Sequence, residues 1–255
     1  MQDGAENPMH FESYYVNPED VDAGRGELII RDEERHHLAR VKRKRAGEVI
    51  QAVDGRGCSY ESEILDMAGS ETRCRIRSVR HGAGEPSVQL TVAQGVLKGD
   101  RFDWFVEKAT EIGVSRIVPV LSERAVVDPG DRKRNRWRRI ALSAMKQCGR
   151  SVWPEVTEPM TVQETLDSEA RTPVRLIAHA GGSSVDCATA LGPKPKTASG
   201  MTLLVGPEGG FTDEEVRSCL GCGFTPVRLG PRRLRAETAG VVFAALILSG
   251  LNELE

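Results

Sequence analysis

The chain has 255 residues, of which 39% are hydrophobic and 28% charged, with a formal net charge of −2. That is enough for one large domain or two small ones. The longest apolar run, VVFAALIL at 241–248, has eight residues against the roughly 20 a bilayer-spanning helix needs, which excludes such a helix.

The opening stretch, MQDGAENPMHFESYY, is acidic and polar, unlike a signal or transit peptide. Residues 1–30 carry seven acids against one arginine. Short strands follow at ELIIR (27–31), EVIQAVDG (48–55), SYESEILDM (59–67) and TRCRIRSVR (72–80), the last alternating charged and apolar faces. DGRG at 54–57 is a hairpin-type turn, and a short helix is expected over Glu33–Val41. The pattern is that of a small β-barrel. HGAGEPS at 81–87 reads as a linker.

From residue 88 strands alternate with helices, which argues a parallel α/β sheet. VQLTVAQGV is a strand, and DRFDWFVEKATEIGV is an amphipathic helix with Phe102, Phe105, Val106, Ala109 and Ile112 on one face and Gly113 as its C-cap. RIVPVL, a helix over 132–148 and a helix over 161–170 come next. VRLIAHA and MTLLVG are strands. A helix capped by the Thr212/Glu215 box ends at Gly221 or Gly223, TPVRLG is the last strand, and a final helix spans roughly Glu237–Leu251. That helix is apolar nearly all round, which requires burial on more than one side, in the core or at a subunit interface.

Charge is unevenly placed. RVKRKR (40–45) has five basic residues in six, 131–150 has eight basic residues and a single acid, Asp131, and Arg228, Arg232, Arg233 and Arg235 cluster near the end. Three basic patches on an acidic background suit a polyanion gripped at defined points, with Arg40, Lys42, Arg43, Arg45, Arg132, Arg136 and Arg139 as candidate phosphate contacts. Six scattered cysteines suit reduced thiols in a cytoplasm. Cys219 and Cys222 form a CxxC with no second ligand pair, so no metal site is expected, and His179 is read as structural. The glycine-rich dinucleotide loop, the P-loop, the nucleophile elbow and the HExxH zinc motif are all missing.

Two loops remain, both following late strands. LVGPEGGFTDEEV (204–216) ends a strand in a glycine turn that exposes backbone at a helix start, and LGPRRLRAETAG (229–240) supplies a second backbone loop beside several arginines. A neutral or zwitterionic ligand held by backbone groups suits them; so do two turns satisfying their own carbonyls.

These two motifs, with HHLARVKRKRAGEVI (36–50), KGDRFDWFVEKATEIGVSRIVPVLSERAVV (98–127) and RWRRIALSAMKQCGR (136–150) in register before them, resemble the RsmE family of SPOUT methyltransferases, bacterial enzymes of 16S rRNA uracil N3. The resemblance implies a PUA-like β-barrel domain over 1–84 and, over 85–255, an α/β SPOUT domain with a C-terminal trefoil knot. It implies S-adenosylmethionine as methyl donor. Val205, Gly206, Glu208 and Gly209 of the first loop, with Leu229, Gly230, Leu234, Arg235, Thr238 and Ala239 of the second, would bind it. Arg232 and Arg235 would stabilise charge on the uracil oxygens, and Glu237 is either the base or a partner of Arg235 or the cap of the final helix. Small-subunit rRNA as partner, a homodimer through the knot region and a cytoplasmic location go with the family. Ribose 2′-O methylation and non-catalytic rRNA binding are the alternatives. Arg233 stands where the family usually has an apolar residue.

Overall fold

The computed structural model describes residues 12–125, 129–192 and 200–254. The acidic stretch 1–11, His10 within it, and residues 126 and 127 of the matching motif at 98–127 lie outside the described residues. The chain divides into two compact units, one of the residues up to Glu85 together with Met145–Trp153, the other of Pro86–Ala144 and the residues from Pro154 on. The return of 145–153 to the first unit has no counterpart in the sequence reading.

The first unit contains β1 (Ser13–Tyr15), β2 (Val21–Asp22), β3 (Glu27–Ile30), α1 (Asp32–His36), β4 (Val49–Val53), β5 (Cys58–Asp66) and β6 (Thr72–His81). They form a six-stranded sheet in the order β1-β4-β5-β6-β3-β2, antiparallel except between β1 and β4. Its core gathers Tyr14, Leu28, Ile30, Leu38, Ile50 and Ile64. In β6 the charged/apolar alternation holds from Thr72 to Ile76, after which the residues are exposed on both sides. A register shift against Glu61/Ser62 of β5 accompanies the change, as a bulge does. The helix expected over Glu33–Val41 is present as α1 continued without a break by a π-helical turn over His37–Val41, closed by the Lys42 amide donating to the His37 carbonyl (3.0 Å). Arg43 follows at φ +52°, so the basic run leaves the helix here.

The second unit contains β7 (Leu90–Gly95), α2 (Arg101–Glu111), β8 (Arg116–Leu121), α3 (Asp131–Cys148, its last turn counted with the first unit), β9 (Glu155–Val156) and β10 (Met160–Thr161). Then come α4 (Val162–Ser168), β11 (Val174–Ala178), α5 (Cys187–Leu191), β12 (Met201–Val205), α6 (Asp213–Gly221), β13 (Thr225–Val227) and α7 (Ala236–Gly250). All strands are parallel, in the order β10-β8-β7-β12-β11-β13, with β9 also beside β8. Every residue of β12 is buried, as a strand covered by helices on both faces requires. The Thr212/Glu215 capping box forms in full: the Glu215 amide donates to Thr212 Oγ1 (3.2 Å) and the Thr212 amide to Glu215 Oε2 (2.8 Å). Cys219 and Cys222 belong to the apolar cluster around Phe224 and Leu204, and burial pushes the Cys219 thiol up to about 12. α7 packs on α2, α5, β7 and β12, and buries Phe243, Ala244, Ile247 and Leu248 while leaving Leu246 44% exposed.

Candidate functional site

A cavity of about 640 Å³ opens beyond the carboxyl ends of the central parallel strands, the place where open α/β sheets bind ligands. Its walls are three consecutive pieces of chain in space: Ala178–Ala180 after β11, Val205–Phe211 after β12, and Arg233–Ala236 with Ala239 between β13 and α7. Arg101 of α2 and Arg124 after β8 complete it.

The turn after β12 is built by close backbone approach. A Cβ on Gly95, the last residue of β7, would meet the Pro207 nitrogen at 2.4 Å, so only glycine lets the two chain segments lie this close. Gln94, fully buried, donates from Nε2 to the carbonyls of Gly95 and Gly206 (3.3 Å each). The Gly210 amide closes the turn on the Pro207 carbonyl (2.8 Å). Arg124 Nη1 donates to the carbonyls of Gly209 (3.1 Å) and Phe211 (3.3 Å). Two residues distant in sequence thus satisfy carbonyls of the glycine turn.

Charge around the cavity is mostly positive. Glu208 is the one carboxylate among the lining residues, and its Oε1 accepts from the Lys98 amide (3.2 Å) and from Arg101 Nη1 (3.0 Å). Burial opposes its ionisation, but the backbone amides and the Arg101 guanidinium outweigh this and hold the carboxyl below the usual range. Arg233 and Arg235 are exposed and make no ion pair among the described residues, leaving two cations for an anionic ligand. His179 also faces the cavity, while its backbone amide donates to the Val227 carbonyl (3.0 Å) and ties β11 to β13. The residue read as structural therefore has a second position to fill.

Of the residues expected to hold a cofactor, Val205, Gly206, Glu208, Gly209, Leu234, Arg235 and Ala239 line this cavity, whereas Leu229, Gly230 and Thr238 do not. Arg232 is exposed outside the lining, and its neighbour Arg233 stands in the wall instead. Glu237 is 8% exposed and lies outside the lining, with Oε1 at 3.9 Å from Arg101 Nε and Oε2 without a hydrogen-bond partner among the described residues. The structure thus turns it toward Arg101; no bond to Arg235 is formed. Arg101 and Arg124 carry no local signal for this role because each comes from a different element, and His179, read as structural from the sequence, joins them in the lining.

The candidate phosphate contacts divide sharply. Arg40, Arg43 and Arg45 are exposed, while Lys42 pairs with Glu12 at 2.5 Å. On α3, Arg132 and Arg139 are exposed and unpaired among the described residues. Arg136 is committed instead to Asp103 (2.6 Å), whose other oxygen accepts from Trp137 Nε1 (2.8 Å).

Comparison with known proteins places the chain firmly. Residues 84–248 match the RNA methyltransferase domain family and residues 30–76 the RNA methyltransferase PUA domain. The ribosomal RNA small subunit methyltransferase E of Mycobacterium bovis is 32% identical over 228 residues, covering 84% of this chain and 83% of its own. That of Bacillus subtilis is 29% identical over 217 residues, covering 82% and 85%. The crystal structure of the Neisseria gonorrhoeae enzyme of the same name, bound to S-adenosylmethionine, superposes with a TM-score of 0.83 at 29% identity over 94% of this chain and 98% of that one. A Legionella pneumophila methyltransferase in complex with the same cofactor gives 0.79 at 29% identity, over 93% and 98%.

Proposed function

The chain belongs to the ribosomal RNA small subunit methyltransferase E family and is an RNA methyltransferase; we propose that it methylates N3 of a uridine in 16S rRNA, with S-adenosylmethionine as the donor. The observation that carries this reading is the convergence of the GPEGG turn and the LRAETAG loop on one cavity of about 640 Å³, a volume within the range of small-molecule sites. The residues present fit such a donor. Val205, Leu234 and Ala239 offer apolar wall, the glycine turn offers backbone groups, and free arginines stand ready for a carboxylate. The donor supplies an electrophilic methyl group on a sulfonium.

The chain's own residues then have two tasks. They orient the base edge toward the donor, and they stabilise the negative charge that appears on the uracil when N3 loses its proton. Arg235 and Arg233, both in the cavity wall, suit the second task. Arg40, Arg43 and Arg45 in the first unit and Arg132 and Arg139 in the second suit phosphates of the RNA.

The path from β13, at the sheet edge, back to α7 against β7 and β12 supports reading the C-terminal segment as the trefoil knot. Exposed Trp104 on α2 and Leu246 on α7, 42% and 44% exposed, support a homodimer through these helices. A ribosomal substrate supports a cytoplasmic location, and no helix of the described residues is long and apolar enough to cross a membrane.

Small subunits from a strain lacking this protein, incubated with the purified chain and labelled S-adenosylmethionine and digested to nucleosides, test the reading. We expect N3-methyluridine by mass spectrometry. A 2′-O-methyl product would keep the enzyme class and overturn the target atom. No transfer, together with no cofactor binding by calorimetry, would leave a protein that only binds rRNA.

A further inference from the structure

Arg101 touches both ligand loops. Its Nη1 donates to Glu208 Oε1 in the GPEGG turn at 3.0 Å, and its Nε stands 3.9 Å from Glu237 Oε1 in the first turn of α7. The two carboxylates differ. Glu208 is partly solvated, with a side-chain exposure of 29%, and has the Lys98 amide as a second donor. Glu237 has a side-chain exposure of 10%, and its buried Oε2 has no hydrogen-bond partner among the described residues. Arg101 itself is 46% exposed and lines the cavity. A guanidinium bridging a solvated and a buried carboxylate holds two loops in one geometry, because its planar fork presents several donors at fixed angles.

We propose that Arg101 is a positioning residue that sets the distance between the turn at 206–210 and the start of α7, and with it the affinity of the cavity for its ligand. Removing it leaves the buried Glu237 carboxylate without its nearest cation, and a buried charge without a partner moves toward solvent. That movement displaces the first turn of α7, which carries the lining residues Ala236 and Ala239. Lysine at this position has the charge but no fork, and reaches one carboxylate at a time.

The identity of the ligand rests on the proposed donor, so two readouts are needed. The first is calorimetric binding of S-adenosylmethionine to the full chain. Arg101→Ala is expected to weaken it about tenfold or more, roughly 1.4 kcal/mol, and Arg101→Lys to fall between the two. The diagnostic is rescue: in the Arg101→Ala background, Glu237→Gln removes the stranded charge and recovers part of the loss. Wild-type affinity in Arg101→Ala, or losses that simply add in the double variant, would overturn the proposal, and so would wild-type affinity in Arg101→Lys should the alanine variant not fold. The second readout is hydrogen exchange of the ligand-free protein at 206–211 and 236–240. Arg101→Lys should speed exchange at both segments while Lys108→Ala, on the same helix, leaves them unchanged. If the wild type binds no S-adenosylmethionine, the donor assignment falls, and unchanged exchange at both segments in Arg101→Lys would sink the clamp separately.

Discussion

Glu169, just past α4, is 4% exposed, yet its surroundings favour the carboxylate. Burial raises the pKa of its carboxyl, but hydrogen bonds from Thr202 Oγ1 (2.5 Å) and Thr172 Oγ1 (3.0 Å), and the Arg116 guanidinium at 2.5 Å, outweigh that cost. The folded-state value therefore lies below the ordinary 4.5. The stabilisation is complete above 4.5 and is lost as pH falls from there through the folded-state value. Glu169→Gln should cost about 3 kcal/mol in urea unfolding at pH 7, the lower end of the range for breaking a buried pair, because Arg116 keeps a side-chain exposure of 26%. As the pH drops below 4.5, the wild type and the variant should converge; a gap that stays constant would mean the carboxylate charge is not the source.

At the scale of elements, the segment Met145–Trp153 is held in the first unit by the ion pairs Lys146–Glu34 and Arg150–Glu85, of which the second is the more buried. Arg150, 2% exposed, donates from Nη2 (2.6 Å) and Nε (3.1 Å) to Glu85 Oε2, and Glu85 Oε1 accepts from the amides of Ser151 and Val152, 2.9 Å each. Arg150 is the last basic residue of the run at 131–150, and its burial takes it out of any RNA surface. Glu85→Ala leaves the Arg150 charge and two amides without this carboxylate, and should destabilise the first unit by about 3–5 kcal/mol. Thermal unfolding followed by limited proteolysis checks this: cleavage should appear first around 145–153. The same helix shows how far tertiary contacts thin out an apparent patch. Arg134 and Arg138 pair with Glu158 (2.8 and 2.6 Å), Arg136 with Asp103, and Lys146 with Glu34. Arg132, Lys133 and Arg139 are left exposed and unpaired among the described residues.

For the whole molecule, the free cations determine how RNA binding responds to salt. Arg43→Ala and Arg132→Ala, one in each unit, should each lower the slope of log K against log salt by about one if each contacts one phosphate, with cofactor affinity unchanged. Filter binding of small-subunit rRNA at several salt concentrations checks this. A variant that changes neither slope nor affinity marks a cation outside the RNA surface, and Arg136→Ala should instead lower the unfolding temperature, since its partner is Asp103. The sequence by itself determined the long strands, the helices other than the five-residue α5 (Cys187–Leu191), the Thr212/Glu215 cap and the two glycine-containing loops, because each depends on residues a few positions apart, where periodicity and turn chemistry act. Strands β1, β2, β9 and β10, two or three residues each, carry no readable period and exist only through the strand they pair with. The cavity wall follows the same division. Val205, Gly206 and Leu234 could be named from their motifs, but Arg101 meets Glu208 across 107 positions and Arg124 meets Gly209 across 85. Which arginines are spent on carboxylates and which remain for a ligand was decided by the tertiary structure, because a charge is neutralised by its neighbour in space, and no local pattern records who that neighbour is.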